Sequence, residues 1–272
     1  MSIGFGEISA RVKCTAADSI SIVLAAYNEG LTLRGSLERI VSVMREGTLE
    51  WELIAVDDGS SDETAGVLRE FSVFWPGVLR TVTHPQNRGL VAAMKTGAEA
   101  ARLATVVYLD ADLSYEPSIV AQLVAAKTAT GAAVAVASPY MRGGRVGNVP
   151  LDRLIASRGA NWLLALCAGG RMHTFTGMVR AYDAEVLREL FSRAPVGEFN
   201  TWAIAACVEA DRRIVEIPAA LIWPRERYAA PSRISARKLV ERAKLVLVTA
   251  RYLLGACRRS KLLKTGTLVL SQ

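Results

Sequence analysis

Histidine is nearly missing from this chain: among 272 residues only His84 and His173 carry an imidazole. A histidine-rich metal centre is thereby excluded, and any histidine general base must be one of these two. Carboxylates must carry whatever metal chemistry there is. Cysteine is scarce too. Cys14, Cys167, Cys207 and Cys257 lie far apart, with neither the close pairing of a zinc site nor the density of a disulfide scaffold, so reduced and mostly buried thiols are expected. There is no Gly-Xaa-Gly-Xaa-Xaa-Gly fingerprint and no Gly-Lys-Ser/Thr phosphate loop, which disfavours a dinucleotide oxidoreductase or a P-loop enzyme. Met1 to Lys13 has Gly4, Glu7 and Arg11 among its apolar residues and lacks the basic start and apolar run of a secretory signal, so a cytoplasmic protein is expected.

What is present is apolar and unevenly charged. With 51% hydrophobic and 22% charged residues, the chain has material for one large α/β domain rather than two small ones. Its net charge of +7 divides into 13 Lys+Arg against 16 Asp+Glu in residues 1–150, and 20 against 10 thereafter. The basic second half has two readings, an anionic partner or a solvated face.

Along the chain, short apolar β-branched runs end in polar clusters and give way to helical patterns. ISIVLAA at 20–26 precedes Tyr27-Asn28-Glu29-Gly30 and a helix to about Met44. LIAVDD at 53–58 leads through Gly-Ser-Ser-Asp to a helix near Glu63, with Ser61 and Asp62 suited to cap it. LRTVTH at 79–84 precedes an alanine-rich helix from Leu90 to Ala101, and TVVYLDAD at 105–112 ends in acids. A helix at 118–127 and a strand at 132–138 follow. The loop MRGGRVGNVP has the composition of a mobile lid over a phosphate. A helix at 151–168, a segment from Thr174 to Tyr182, a helix from Asp183 and a strand at 213–221 complete the pattern. Residues 233–264 are basic and helical in pattern, with 10 Lys+Arg and the single acid Glu241. Arg242, Lys244 and Arg251 interrupt that stretch, which falls short of the roughly 20 apolar residues of a spanning helix. It fits a helix lying in a membrane interface, or equally one packed on the core with snorkelling cations. The expected division is an extension at 1–18, a catalytic domain at 19–232 with halves 19–116 and 117–232, and a basic helix and tail at 233–272.

Strands alternating with helices imply a mostly parallel sheet, whose ligands gather at the strands' carboxyl ends. Glu29, Asp57, Asp58, Asp110 and Asp112 fall at such ends. Asp110-Ala111-Asp112 presents carboxylates that can approach one oxygen-loving cation, Mg2+ or Mn2+, leaving positions for substrate phosphate oxygens. Glu29 and Asp58 suit a base N–H or ribose hydroxyls, and Tyr27 suits stacking on a base. Asp57 and Asp58 have a second reading in helix capping and turn formation within DDGSSD.

AAYNEG at 25–30, VDDGSSDET at 56–64, NRGLVAAMKTG at 87–97 and DADLS at 110–114 together resemble the nucleotide-sugar half of family 2 glycosyltransferases with the Rossmann-like GT-A fold. SRGAN at 157–161, TGMVRAY at 176–182 and EIPAAL at 216–221 are similar to the dolichyl-phosphate and polyprenyl-phosphate mannosyltransferase branch. The resemblance spans residues 20–235. It implies that Ala25, Tyr27, Glu29, Val56, Asp58 and Ala111 surround the nucleotide, and that Asp110, Asp112 and Ser114 hold Mg2+ or Mn2+. It further implies that Arg153 and Arg158 engage phosphates, with Arg227 and Arg233 closing over the site. Arg180 reads as structural, paired to a nearby acid. The implied partners are a nucleotide sugar, GDP-mannose or a UDP-hexose, a polyprenyl phosphate, a membrane surface and a membrane partner subunit, with no nucleic acid.

Three positions depart from the family pattern: Pro139 replaces an arginine, Thr174 an aspartate, and YAAPSR before Arg233 is long and lacks a glycine. The implied reaction is an inverting hexosyl transfer in which an already ionised acceptor phosphate needs no general base. A hydroxyl acceptor on the same fold is the alternative, with Glu198 or Asp183 as its base. A non-catalytic nucleotide-sugar-binding protein at the membrane is a third reading.

Overall fold

A computed structural model describes residues 19–195, 199–224, 236–260 and 269–271. The apolar runs form β1 (Ile20–Ala26), β2 (Trp51–Asp57), β3 (Leu79–Thr83) and β4 (Thr105–Asp110). Between them lie α1 (Gly30–Glu46), α2 (Thr64–Phe74) and α3 (Leu90–Ala100). Then come α4 (Ile119–Thr130), β5 (Val134–Ser138), β6 (Arg145–Gly147) and α5 (Leu151–Cys167). β7 (Arg180–Asp183), α6 (Ala184–Arg193), α7 (Asn200–Glu209), β8 (Ile214–Pro218) and β9 (Ala220–Ile222) follow. α8 (Ala236–Arg259) and β10 (Val269–Ser271) end the described chain.

The main sheet has the order β10-β8-β5-β7-β4-β1-β2-β3 and is mostly parallel, as the strand–helix alternation requires. β7, from the segment to which the pattern assigns no type, is the exception: it runs antiparallel to both β4 and β5. Its residues reach the sheet only after the chain has crossed over through α5, and they enter from the opposite edge. A pattern of four residues, Arg-Ala-Tyr-Asp, carries too little periodicity to announce this. The loop expected to be mobile is partly tied down, because β6 within it pairs in parallel with β9. Gly144 approaches the neighbouring chain so closely that a Cβ there would lie 2.5 Å from the Ser138 carbonyl oxygen.

Alternation along each strand divides the core between the sheet's two faces. On one face Ile22, Leu24 and Leu109 meet Leu33, Leu37 and Ile40 of α1 and Leu123 of α4. On the other, Val23, Ile54 and Tyr108 meet Met94 and Ala98 of α3, Leu187 of α6 and Ile204 of α7. α8 joins this second face through Ala250, Leu253 and Ala256, packing against α5 and α7. Among the described residues no helix is long and apolar enough to cross a membrane.

A buried carboxylate locks the amino ends of these strands. Glu52 of β2 accepts hydrogen bonds from the Ser21 hydroxyl at 2.7 Å, the Arg102 backbone N–H at 2.8 Å and the Arg80 guanidinium at 3.0 Å. Desolvation raises its pKa, but these donors outweigh it and hold the carboxyl below its ordinary 4.5. A depressed folded-state pKa means that the stabilisation is present above pH 4.5 and is lost as pH falls through the lower folded value. Glu52→Gln is expected to cost about 1–3 kcal/mol in urea unfolding at neutral pH, with the difference from wild type shrinking in acid.

Candidate active site

Parallel strands that start together end together, so the carboxyl ends of β1, β2 and β4 lie level. Ala25 stands opposite Val56 on one side and Asp110 on the other, with adjacent strands about 4.8 Å apart. Beyond this edge the loops are stitched to each other. Asn28 turns the chain at φ 55°, donates its N–H to the Ser60 hydroxyl and accepts the Ser61 N–H on its side-chain oxygen. The Glu29 N–H reaches the Thr64 hydroxyl at 2.8 Å, and the Gly30 N–H reaches the Asp62 carboxylate at 3.0 Å. Asp62 also accepts the Thr64 N–H at the start of α2, although the N-cap position itself is Glu63, which makes no side-chain cap bond, rather than the expected Ser61 or Asp62. Glu29 is buried at the start of α1, while Tyr27 is half exposed at the mouth of the edge.

Asp58 is committed chiefly to the protein. Its Oδ1 meets His84 Nδ1 at 2.7 Å and accepts the Arg88 N–H at 2.9 Å, and its Oδ2 accepts the Gly89 N–H at 2.7 Å. A carboxylate only accepts, so His84 must carry a proton on Nδ1, and its Nε2 meets the Thr96 hydroxyl at 2.9 Å. Both ring nitrogens are thus engaged, and the ring is buried, which removes His84 as a general base. Asp58 instead anchors the loop that begins α3. Gly59 makes this possible: its φ is +71°, and a Cβ there would fall 2.3 Å from the Gln86 carbonyl carbon.

Asp110 is the last residue of β4, and Ser114 donates its hydroxyl to Asp110 Oδ2 at 2.6 Å and its N–H to Asp112 Oδ1 at 3.1 Å. Leu113, at φ 50°, makes the turn that folds Ser114 back. Burial raises Asp110 to about 6, with repulsion from Asp112 adding to the rise and the Ser114 hydroxyl opposing it. Burial also raises Asp112. Such paired oxygen donors fit a hard divalent cation, whose charge would offset the desolvation of both carboxylates. Among the described residues no third His, Cys, Asp or Glu joins them, so the donor set fits an ion completed by substrate oxygens and water.

The second half of the chain is brought to the same end of the sheet. The Ser114 carbonyl accepts the Ile222 N–H at 2.8 Å, and the Gly147 carbonyl accepts the Trp223 N–H at 2.9 Å. Arg153 on α5 lies over the Trp223 ring, 5.1 Å from its centroid. Asn161 joins the SRGAN and TGMVRAY blocks: its side chain donates to Thr176 Oγ1 at 2.8 Å and accepts the Phe175 N–H at 2.6 Å. Tyr140 donates to Ser157 at 2.8 Å. Fully buried Glu216 accepts the N–H groups of His173 and Thr174, both at 2.8 Å, and meets His173 Nδ1 at 3.0 Å. The Glu216 hydrogen bond raises the pKa of His173. Sequence reasoning named His173 only as a possible base and did not pair it with Glu216, and it gave Arg88 and Lys95 no role, although both stand in the NRGLVAAMKTG block.

Not every predicted residue arrives. Arg158 is exposed on α5 and does not line the cavity that Arg153 lines. Arg227, Arg233 and Glu198 lie outside the described residues. Asp183 pairs with Thr105 at the opposite end of β4 and is held by Lys127, so it cannot serve as a base here. Arg180 is structural, but its partners are not acids: it donates to the Phe175 and Asn200 carbonyls and the Tyr182 hydroxyl.

The profile of glycosyl transferase family 2 matches residues 21–191. The chain belongs to that family. This glycosyltransferase is 32% identical over 190 residues to polyprenol monophosphomannose synthase of Mycolicibacterium smegmatis, the match covering 69% of each protein. It is 31% identical over 141 residues to dolichol-phosphate mannosyltransferase of Pyrococcus furiosus, across 52% of this chain but only 39% of that protein. These relatives place it in the polyprenyl-phosphate mannosyltransferase-like branch. In structure it resembles glucosyl-3-phosphoglycerate synthase of Mycobacterium tuberculosis, solved with UDP, at a TM-score of 0.62, with 22% identity over 95% of this chain and 86% of that one. That likeness establishes the GT-A fold.

The glycosyltransferase should depend on Asp58 for loop order rather than for direct chemistry. Asp58→Asn, which places an amide NH2 against backbone donors, is expected to lower stability by about 2–4 kcal/mol in denaturant titration. It should also raise hydrogen exchange at Arg88 and Gly89 selectively.

Proposed function

We propose that this glycosyltransferase moves a hexose, with inversion, from a nucleoside diphosphate sugar to a polyprenyl phosphate. The observation that carries the reading is the meeting of the Asp110-Ala111-Asp112 turn with Arg153 through Ser114, Ile222 and Trp223. That chain of contacts links the pair of acids to a cation of the kind that suits phosphate. Asp110 and Asp112, with Ser114 behind them, would hold Mg2+ or Mn2+, which when bound supplies Lewis-acid neutralisation of the diphosphate. Ala25, Tyr27, Glu29, Val56 and Ala111 form the edge against which the nucleotide lies, and Arg153 orients the acceptor phosphate behind the anomeric carbon. A phosphate is already ionised at neutral pH, so the attack requires no base. The names of the sequence relatives support the acceptor class, and the M. tuberculosis structure with UDP supports a nucleotide donor.

A hydroxyl acceptor remains the second reading, favoured by one observation: Glu216 orients His173, whose side chain is 40% exposed, as a base would be. Loss of transfer in His173→Ala, together with transfer to a hydroxyl substrate, would establish it in place of the first.

A membrane surface fits the same reading. Leu151, Ile155, Trp162 and Leu166 are exposed at spacings of 4, 7 and 4 along α5, which places them on one helix face. Arg158 lies within that face, and the exposed Leu247, Val248 and Leu254 with Arg251 and Arg258 continue the mixture on α8. Apolar anchors among cations suit an anionic lipid surface.

Transfer from labelled GDP-mannose and UDP-hexoses to undecaprenyl phosphate in detergent, with Mg2+ or Mn2+, should move label into the organic phase. Asp112→Ala or a chelator should cut this by about 100-fold or more; donor hydrolysis with no lipid product would remove the lipid-phosphate acceptor. Co-sedimentation with anionic vesicles should fall at least about tenfold in Trp162→Ser/Leu166→Ser, and binding to neutral vesicles should be weak throughout.

A further inference from the structure

A groove of about 1070 Å³ runs between the start of α3, the length of α5 and the flank of α8. Arg88, Lys95 and Arg153 line it together with the polar Ser157, Thr176, Asn200 and Thr201, and most of the other lining residues are apolar, including Val91, Ala160, Leu163, Phe199 and Val246. Among the described residues lining it there is no carboxylate. The stacked rings of Phe191 and Phe199, with centroids 3.9 Å apart, form part of its wall. Two of these cations are tied to the catalytic edge, each by its own route. Arg88 belongs to the loop anchored by Asp58, and Arg153 lies on Trp223, next to the residue bonded to Ser114.

A ligand that matches this groove has one anionic end, placed at the reacting edge, and a long apolar body. We infer that the groove receives the first isoprenoid units of the acceptor lipid, with the phosphate at the Arg153 end. The inference rests on the lipid-phosphate reading of the active site and adds where the lipid lies. From Arg153 to Leu163, α5 rises about 15 Å, the length of roughly three isoprenoid units of about 5 Å each. The domain itself, rather than the bilayer, therefore recognises the proximal part of the lipid, and the distal units remain outside.

The test measures acceptor KM and kcat for dimethylallyl, geranyl, farnesyl and undecaprenyl phosphates in detergent at saturating nucleotide sugar. The wild-type KM is expected to fall by about tenfold per added unit up to farnesyl phosphate and then to level off. Ala160→Phe on α5 and Val246→Trp on α8 each fill the groove from a different helix, and Tm and nucleotide affinity report whether each variant is folded. In a folded variant the KM ratio between dimethylallyl and farnesyl phosphate should collapse toward one, with the loss in KM rather than kcat. Folded variants that keep the wild-type length profile would overturn the groove and leave the lipid-phosphate reading standing. Failure of every prenyl phosphate, at any length, to accept sugar would overturn that reading and the groove with it.

Discussion

Ala25 faces Val56 on one side and Asp110 on the other, and this register constrains everything the active site can do. Three strands buried on both faces have almost no freedom to slide, because a shift of one residue would turn each apolar side chain to the wrong layer. The edge where they end is consequently a fixed platform. Polar residues placed just beyond it inherit the precision of the sheet, although they sit in loops. The stitching of Asn28, Glu29 and Gly30 to Ser60, Ser61, Thr64 and Asp62 extends that rigidity into the loops themselves.

Carboxylates perform opposite tasks in the two ends of this sheet. At the amino ends, Glu52 is surrounded by donors and tightens the fold. At the carboxyl ends, Asp110 and Asp112 are desolvated and share the hydroxyl and N–H donors of Ser114. The first arrangement stabilises the protein. The second leaves negative charge in a low-dielectric setting, which is costly in a folded chain unless a ligand supplies the complement. Asp58 belongs with the first kind despite lying near the second, and the loop it holds carries Arg88 to the groove.

Much of this was legible in the residues alone. β1 to β4 were readable because each is a short apolar run bracketed by polar clusters, and the acids at their ends followed directly. β7 was not, since its Arg180 is buried and donates from its terminal nitrogens to carbonyls and a phenol that only the folded chain brings together. β6 and β9 have three residues each, too few for a period to register. Arg153 and Arg158 are equivalent as members of a basic helix, and only helical phase separates the one that lines the groove from the one that faces away. The groove itself could not be read, because α3, α5 and α8 are distant in sequence and their apolar residues look like ordinary core.

The antiparallel strand in the middle of the sheet also governs the order in which the molecule can be assembled. β1 to β4 are contiguous in both sequence and space, so the amino-terminal half can pair as soon as it has been made. β5 cannot: its only neighbours in the sheet are β7 and β8, both of which come later in the chain. Until α5 and the segment after it emerge from the ribosome, β5 has no backbone partners, and its apolar residues lack the cover of the finished sheet. The carboxyl-terminal half therefore cannot be completed before its final strands exist, and a chain truncated ahead of β8 would carry a finished β1–β4 edge joined to an unfinished and aggregation-prone sheet.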